Sequence, residues 1–175
     1  MIVNAYNPES GFFNDLTCKW EPPRRHLQLN KLNPESMNNG WWAGYVVANQ
    51  HTAYNNGTAC YYILKTIDFL RRTDGTIKED WLPSVLKVLD TAVSLQRDDG
   101  NFGYAFCETE PRVDIWEGFA GCWFAAACAY AAKLTGDNSY QKAAVRAIDY
   151  YYGFVKDLNC YGTPMDTWMS VDQEG

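Results

Sequence analysis

The chain of 175 residues is 47% hydrophobic, 15% aromatic and 21% charged, enough for one buried core with little left over for a second domain. Its formal net charge is -6 and no Lys/Arg cluster exceeds a pair, which excludes a phosphate-tracking surface and makes nucleic acid an unexpected partner. The longest strongly apolar stretch, Phe119 to Ala132, falls short of the roughly 20 residues a bilayer span requires, so no membrane partner is expected either.

In chain order, residues 1–35 read as an irregular N-terminal segment and residues 36–175 as helical hairpins, all within one domain. Trp41, Trp42 and Tyr45 follow Asn38-Asn39-Gly40; they either form a flat platform for a sugar or begin a helix and pack inward. His51 precedes Thr52-Ala53-Tyr54-Asn55-Asn56 and is either a rim residue or a structural one. The spacing of Cys60, Ile63, Leu64, Ile67 and Leu70 predicts a helix over 58–72, stopped by Thr73-Asp74-Gly75. Leu82, Val85, Leu86, Leu89, Ala92 and Val93 predict a second over 80–96, with Asp80 as N-cap and Pro83 tolerated in the first turn.

A long connection, 96–117, leads to a third predicted helix over 115–134, with Asp114 as cap. This segment is apolar on nearly every side and is expected to be enclosed all round. Thr135-Gly136-Asp137 breaks it, and a one-sided helix follows over 138–156, with Ala143, Ala144, Ala147, Ile148 and Tyr151 opposite Lys142, Arg146 and Asp149. Ala59-Cys60-Tyr61-Tyr62 aligns with Gly121-Cys122-Trp123-Phe124, and Val88-Leu89-Asp90 with Ala147-Ile148-Asp149, an internal repeat with a period of about 60 residues. No run demands a strand, although 101–106 is compatible with a short extended piece. The expected class is all-α.

The six cysteines contain no C-x-x-C pair and the two histidines, His26 and His51, complete no zinc spacing, so neither a metal nor a cofactor is expected. Cys60, Cys122 and Cys128 lie in helical patterns where a free thiol behaves as a small hydrophobe. That favours a reducing, cytoplasmic compartment, and the first residues lack the charged and apolar regions of a signal peptide.

Short links within hairpins and long aromatic links between them put the long loops on one rim. That rim gathers Asp98, Asp99, Glu108, Glu110, Asp114, Glu117, Asp166 and Asp172 with Tyr104, Trp116, Tyr161 and Trp168. Sugar chemistry asks for this mixture, since rings stack on a pyranose face while one acid protonates the leaving oxygen and another activates water. Asp114 and Asp166 are the candidate catalytic carboxylates, with Asp99, Tyr104, Trp116, Glu117, Trp168, Trp41, Trp42 and His51 as candidate substrate contacts. The bland readings stand beside these: Asp114 as a helix cap, Asp98-Asp99-Gly100 as a turn, and Glu108 and Glu110 as solvated charges.

Leu95-Gln96-Arg97-Asp98-Asp99-Gly100-Asn101-Phe102-Gly103-Tyr104, the Trp116-Glu117-Gly118-Phe119 helix entry, and Leu134-Thr135-Gly136-Asp137-Asn138-Ser139-Tyr140-Gln141-Lys142-Ala143-Ala144 resemble the six-hairpin glycosidase superfamily over about two hairpins. The resemblance implies an (α/α)6-type toroid with a central carbohydrate site, a fold shared by glycoside hydrolases, unsaturated glucuronyl hydrolases, some polysaccharide lyases and sugar epimerases. At about 60 residues per hairpin, six hairpins need about 360 residues. The chain is therefore expected to hold about half a ring, to associate with itself or with the missing half, and to leave a second acid to that half.

The leading expectation is a glycoside hydrolase acting on an oligosaccharide or polysaccharide. An epimerase or lyase on the same scaffold is one alternative, with His51 as its residue. A non-catalytic helical module that binds glycan or protein is the other.

Overall fold

The computed structural model describes residues 6–14, 50–73, 76 and 78–157. Among these residues the chain is mostly helical, with four helices and one small sheet. Strand β1 (Gln50–Thr52) runs into helix α1 (Ala53–Thr73), and α2 (Trp81–Leu95) follows it. Strands β2 (Ala105–Cys107) and β3 (Val113–Ile115) lead to α3 (Cys122–Thr135) and α4 (Asn138–Lys156). The strands form an antiparallel sheet in the order β1-β2-β3.

Helices α2 and α4 lie where the apolar spacing puts them. Helix α4 starts on Asp137, whose carboxylate accepts the Ser139 N–H at 2.7 Å, and α3 ends on Gly136 at φ 75°. The Asp-x-x-Tyr stretch is therefore structural throughout: Asp137 caps α4, and the Tyr140 hydroxyl donates to Asp90 of α2 at 2.5 Å. Asp80, by contrast, adopts αR geometry and makes no side-chain cap bond, so its expected capping role is not seen.

The other two helices start elsewhere than expected. Helix α1 begins five residues early, running straight through Asn55-Asn56-Gly57. Thr52 Oγ1 accepts the Asn55 N–H in the manner of an N-cap. Asn56 donates to the Phe13 carbonyl and accepts the Phe13 N–H, as a strand would. A Cβ on Gly57 would lie 2.6 Å from Trp123 Cβ and 2.9 Å from the Phe124 nitrogen, so this glycine serves close helix approach rather than a turn.

Helix α3 begins at Cys122 instead of near 115, because Val113–Ile115 is spent on pairing with β2. Gly118, at φ 130°, then turns the chain into the helix. Asp114 consequently lies on the solvent side of a strand and not at the start of α3. Nor is α3 enclosed all round: Phe124, Ala127, Cys128 and Ala131 are buried, but Ala129 is exposed and Trp123 only half-buried. A run of alanines is apolar and a good helix former without needing cover on every face. Lys142, Arg146 and Asp149 are exposed on α4 as expected.

Contacts between α1 and α3 climb both helices together, from Gly57 against Trp123 to Asp68 receiving hydrogen bonds from Tyr130 and Lys133 at 2.7 and 3.1 Å. The two are therefore parallel neighbours, each followed by its own antiparallel partner. Their burial patterns match Gly57 with Gly121, Cys60 with Phe124, Leu64 with Cys128 and Ile67 with Ala131, two residues away from the alignment that the sequence suggests for this pair. The α2/α4 alignment does agree with burial, pairing Val85 with Ala144, Val88 with Ala147 and Ala92 with Tyr151.

Much of the aromatic excess is core. Phe12, Phe102, Phe106 and Phe124 are fully buried against one another, with Phe12 and Phe106 centroids 4.3 Å apart. Each such ring contributes about 2 kcal/mol of burial. Phe12 and Phe13 come from the 6–14 turn, so this part of the N-terminal segment belongs to the core. Among the described residues no helix is long and apolar enough to cross a membrane.

Candidate functional site

The segment between α2 and α3 is built on Asn101. Its side-chain amide donates to the Trp116 carbonyl and the Tyr150 hydroxyl, both at 2.9 Å, while its oxygen accepts from the Gly103 N–H and the Tyr151 hydroxyl. Tyr151 also accepts the Phe102 N–H at 2.9 Å. Gly100, at φ 96°, packs so tightly on the α4 backbone at Arg146 that no side chain fits. Asp98-Asp99-Gly100 is thus a turn, with the Asp99 carboxylate accepting the Asn101 N–H and pairing with Arg97.

This frame brings three candidates together. Arg97 lies over the Trp116 ring, 5.1 Å from its centroid, and pairs with Asp99 at 3.0 Å. Burial raises the Tyr150 hydroxyl pKa, and the Asp99 and Glu117 charges push it further up. Asp99, Trp116 and Glu117 therefore share one neighbourhood, and Asp99 and Glu117 are exposed. Asp114 belongs to a second group: Arg112 donates to it at 2.8 Å and also bonds Glu110, and these two carboxylates hold the guanidinium pKa above its usual value. Nearby Cys107 has a lowered thiol pKa, chiefly from its hydrogen bond with Thr109.

Tyr104 is buried, and its backbone links β3 to the start of α1. His51 is also fully buried, sharing a 2.8 Å hydrogen bond between Nε2 and Ser10 Oγ. Its Nδ1 is buried without a partner in the structure. Trp41, Trp42, Asp166 and Trp168 lie outside the described residues. Among the described residues no group of three or more His, Cys, Asp or Glu is placed to hold a metal.

Desolvation lowers the His51 pKa to about 4. An unfolded imidazole binds a proton near its ordinary 6.5, well before the folded one does. Stability is therefore expected to fall as pH drops from 6.5 to 4, by roughly 3 kcal/mol in all, and to level off below. Urea midpoints measured across that window for wild type and His51→Gln check this; an unchanged pH slope in the variant would contradict it.

A further group escapes a reading of loops. Tyr54, Tyr61 and Tyr62 of α1 surround Trp123 of α3 with centroids at 6.3, 5.8 and 6.2 Å, and Tyr61 meets Tyr130 at 5.8 Å. Lys65 lies 5.2 Å from the Tyr61 ring centroid. Tyr62 is 56% exposed, Tyr54, Tyr61 and Trp123 are half-buried, and the Trp123 indole nitrogen is itself buried without a hydrogen-bond partner in the structure. The signal was present as aromatic pairs in a helix, but helical periodicity assigns such pairs to the core.

No protein-family model, curated protein or solved structure matches the chain.

Proposed function

We propose that the chain is a carbohydrate-active helical-repeat domain, a glycoside hydrolase built as part of an (α/α) toroid. The observation that carries this reading is the half-exposed aromatic cluster of Tyr54, Tyr61, Tyr62 and Trp123 on two parallel helices that both start from the small sheet. Ring faces that core packing leaves partly exposed offer stacking surfaces for pyranose units, with tyrosine hydroxyls as polar handles. The Trp116-Glu117 entry to α3 supplies an exposed carboxylate beside an aromatic ring, and Asp114 precedes it on β3. Glu117 is the described carboxylate assigned to acid or base work, with the partner acid left to Asp166, outside the described residues, since Arg112 holds Asp114 in a separate group.

The binding-module reading has one observation in its favour: Arg112 already engages Asp114 and Glu110. The epimerase or lyase reading loses support, because burial and Ser10 withdraw His51 from solvent.

Hydrolysis of a panel of oligosaccharides tests the proposal. Tyr62→Ala is expected to raise KM about tenfold with kcat little changed, the signature of lost binding. Glu117→Gln is expected to lower kcat about 100-fold or more with binding retained. Binding without turnover by wild type would favour the module, and neither binding nor turnover would sink both.

A further inference from the structure

The repeat places equivalent surfaces in different surroundings. On α2, Leu89 is fully buried, and the Tyr140 hydroxyl of α4 donates to the adjoining Asp90. The second hairpin therefore covers this face of the first. The equivalent residue on α4, Ile148, is 58% exposed, and Val145 and Tyr152, which correspond to Leu86 and Val93, are 57% and 61% exposed. Between α3 and α4 the same face opens into a groove of about 380 Å³ lined by Ala129, Ala132, Lys133, Ala144, Val145 and Ile148. Single exposed apolar residues mean little, but a contiguous stripe beside a groove marks a contact surface.

The opposite end of the repeat carries the complementary half. Hairpin two meets hairpin one through Trp123 and Tyr130 of α3; the register that matches burial makes Ala59 and Thr66 of α1 their counterparts. Thr66 is exposed, and Ala59 is only partly buried. Each molecule thus bears both sides of its own interhairpin interface, one at each end.

We propose that the α3–α4 groove docks the α1 face of a second copy of this chain, head to tail, repeating in trans the packing of hairpin two on hairpin one. Such an interface is heterologous, so it leaves one free end of each kind and allows growth beyond a dimer. It is independent of the glycan reading.

Sedimentation of the full chain tests this with Thr66→Arg, which blocks the α1 face, and Ile148→Arg, which blocks the groove. Both positions are exposed, and unchanged helical circular dichroism confirms the fold of each variant. Wild type is expected to gain mass with concentration beyond the dimer. Each variant alone is expected to self-associate at least tenfold more weakly. An equimolar mixture, which pairs an intact groove with an intact α1 face, is expected to restore a species of twice the chain mass and no larger. A wild-type chain that stays monomeric, a single variant that associates as wild type does, or a mixture that fails to pair would each overturn the proposal.

Discussion

Replacing Asn101 with alanine is expected to lower the unfolding free energy by about 4 kcal/mol, because one buried side chain satisfies four groups at once. Asn101 is 1% exposed and ties the Trp116 carbonyl, the Gly103 N–H and the hydroxyls of Tyr150 and Tyr151 into one network. Water has little access to replace it, so its partners lose their bonds inside the protein rather than exchanging them for solvent. Against a typical total of about 5–15 kcal/mol the loss takes a large share of the stability. Urea unfolding should show a lower midpoint at unchanged slope, together with loss of the Trp116-Glu117 geometry. A loss below about 1 kcal/mol would show that the network is solvated and that Asn101 does not organise the loop.

Gly57→Leu is expected to cost more, about 4 kcal/mol or above, and to separate α1 from α3. Leucine is a better helix former than glycine by about 1 kcal/mol, which works in favour of the variant. That gain is outweighed, since even a Cβ would stand 2.9 Å from the Phe124 backbone nitrogen, and backbone cannot yield as a flexible side chain can. Gly57→Ala should fall between the two, so a graded series at one site separates steric cost from helix propensity. Equal stability of all three proteins would mean that α1 and α3 do not approach as described.

These two positions also mark where the sequence was legible. Helix α4 could be read to its ends, because a one-sided apolar stripe lies between Asp137, whose cap is local, and Lys156 in the last turn. Helix α2 was nearly as clear, since its apolar positions all face one way. Asn55-Asn56-Gly57 reads locally as a turn, and only the distant partners Phe13 and Trp123 make it helix. The strands are three residues each, too short for alternation to register, and their pairing joins Gln50–Thr52 to residues far along the chain. The same limit moved the start of α3 and returned Asp114 to a strand. Short-range signals specify elements whose partners are close, and long-range contacts decide the rest.

The site divides in the same way. Asp99, Trp116 and Glu117 were accessible because the loop that carries them is long, acidic and aromatic. Tyr104 and His51 were equally conspicuous in the sequence, but the backbone bonds of Tyr104 and the Ser10 contact of His51 belong to the core. The cluster around Trp123 was hidden by its own periodicity, since a ring on a helix looks the same in sequence whether it faces the core or solvent. Only the exposure of Tyr62 separates the two.

The most direct measurement is the Trp123 indole N–H resonance, assigned with a Trp123→Phe variant and followed while neutral and acidic oligosaccharides are titrated into the full chain. The account predicts a saturable shift of that resonance with at least one glycan, weakened about tenfold by Tyr62→Ala. A resonance that stays fixed throughout the panel, in a protein whose Asn101 network is intact, would contradict the assignment of this cluster to carbohydrate.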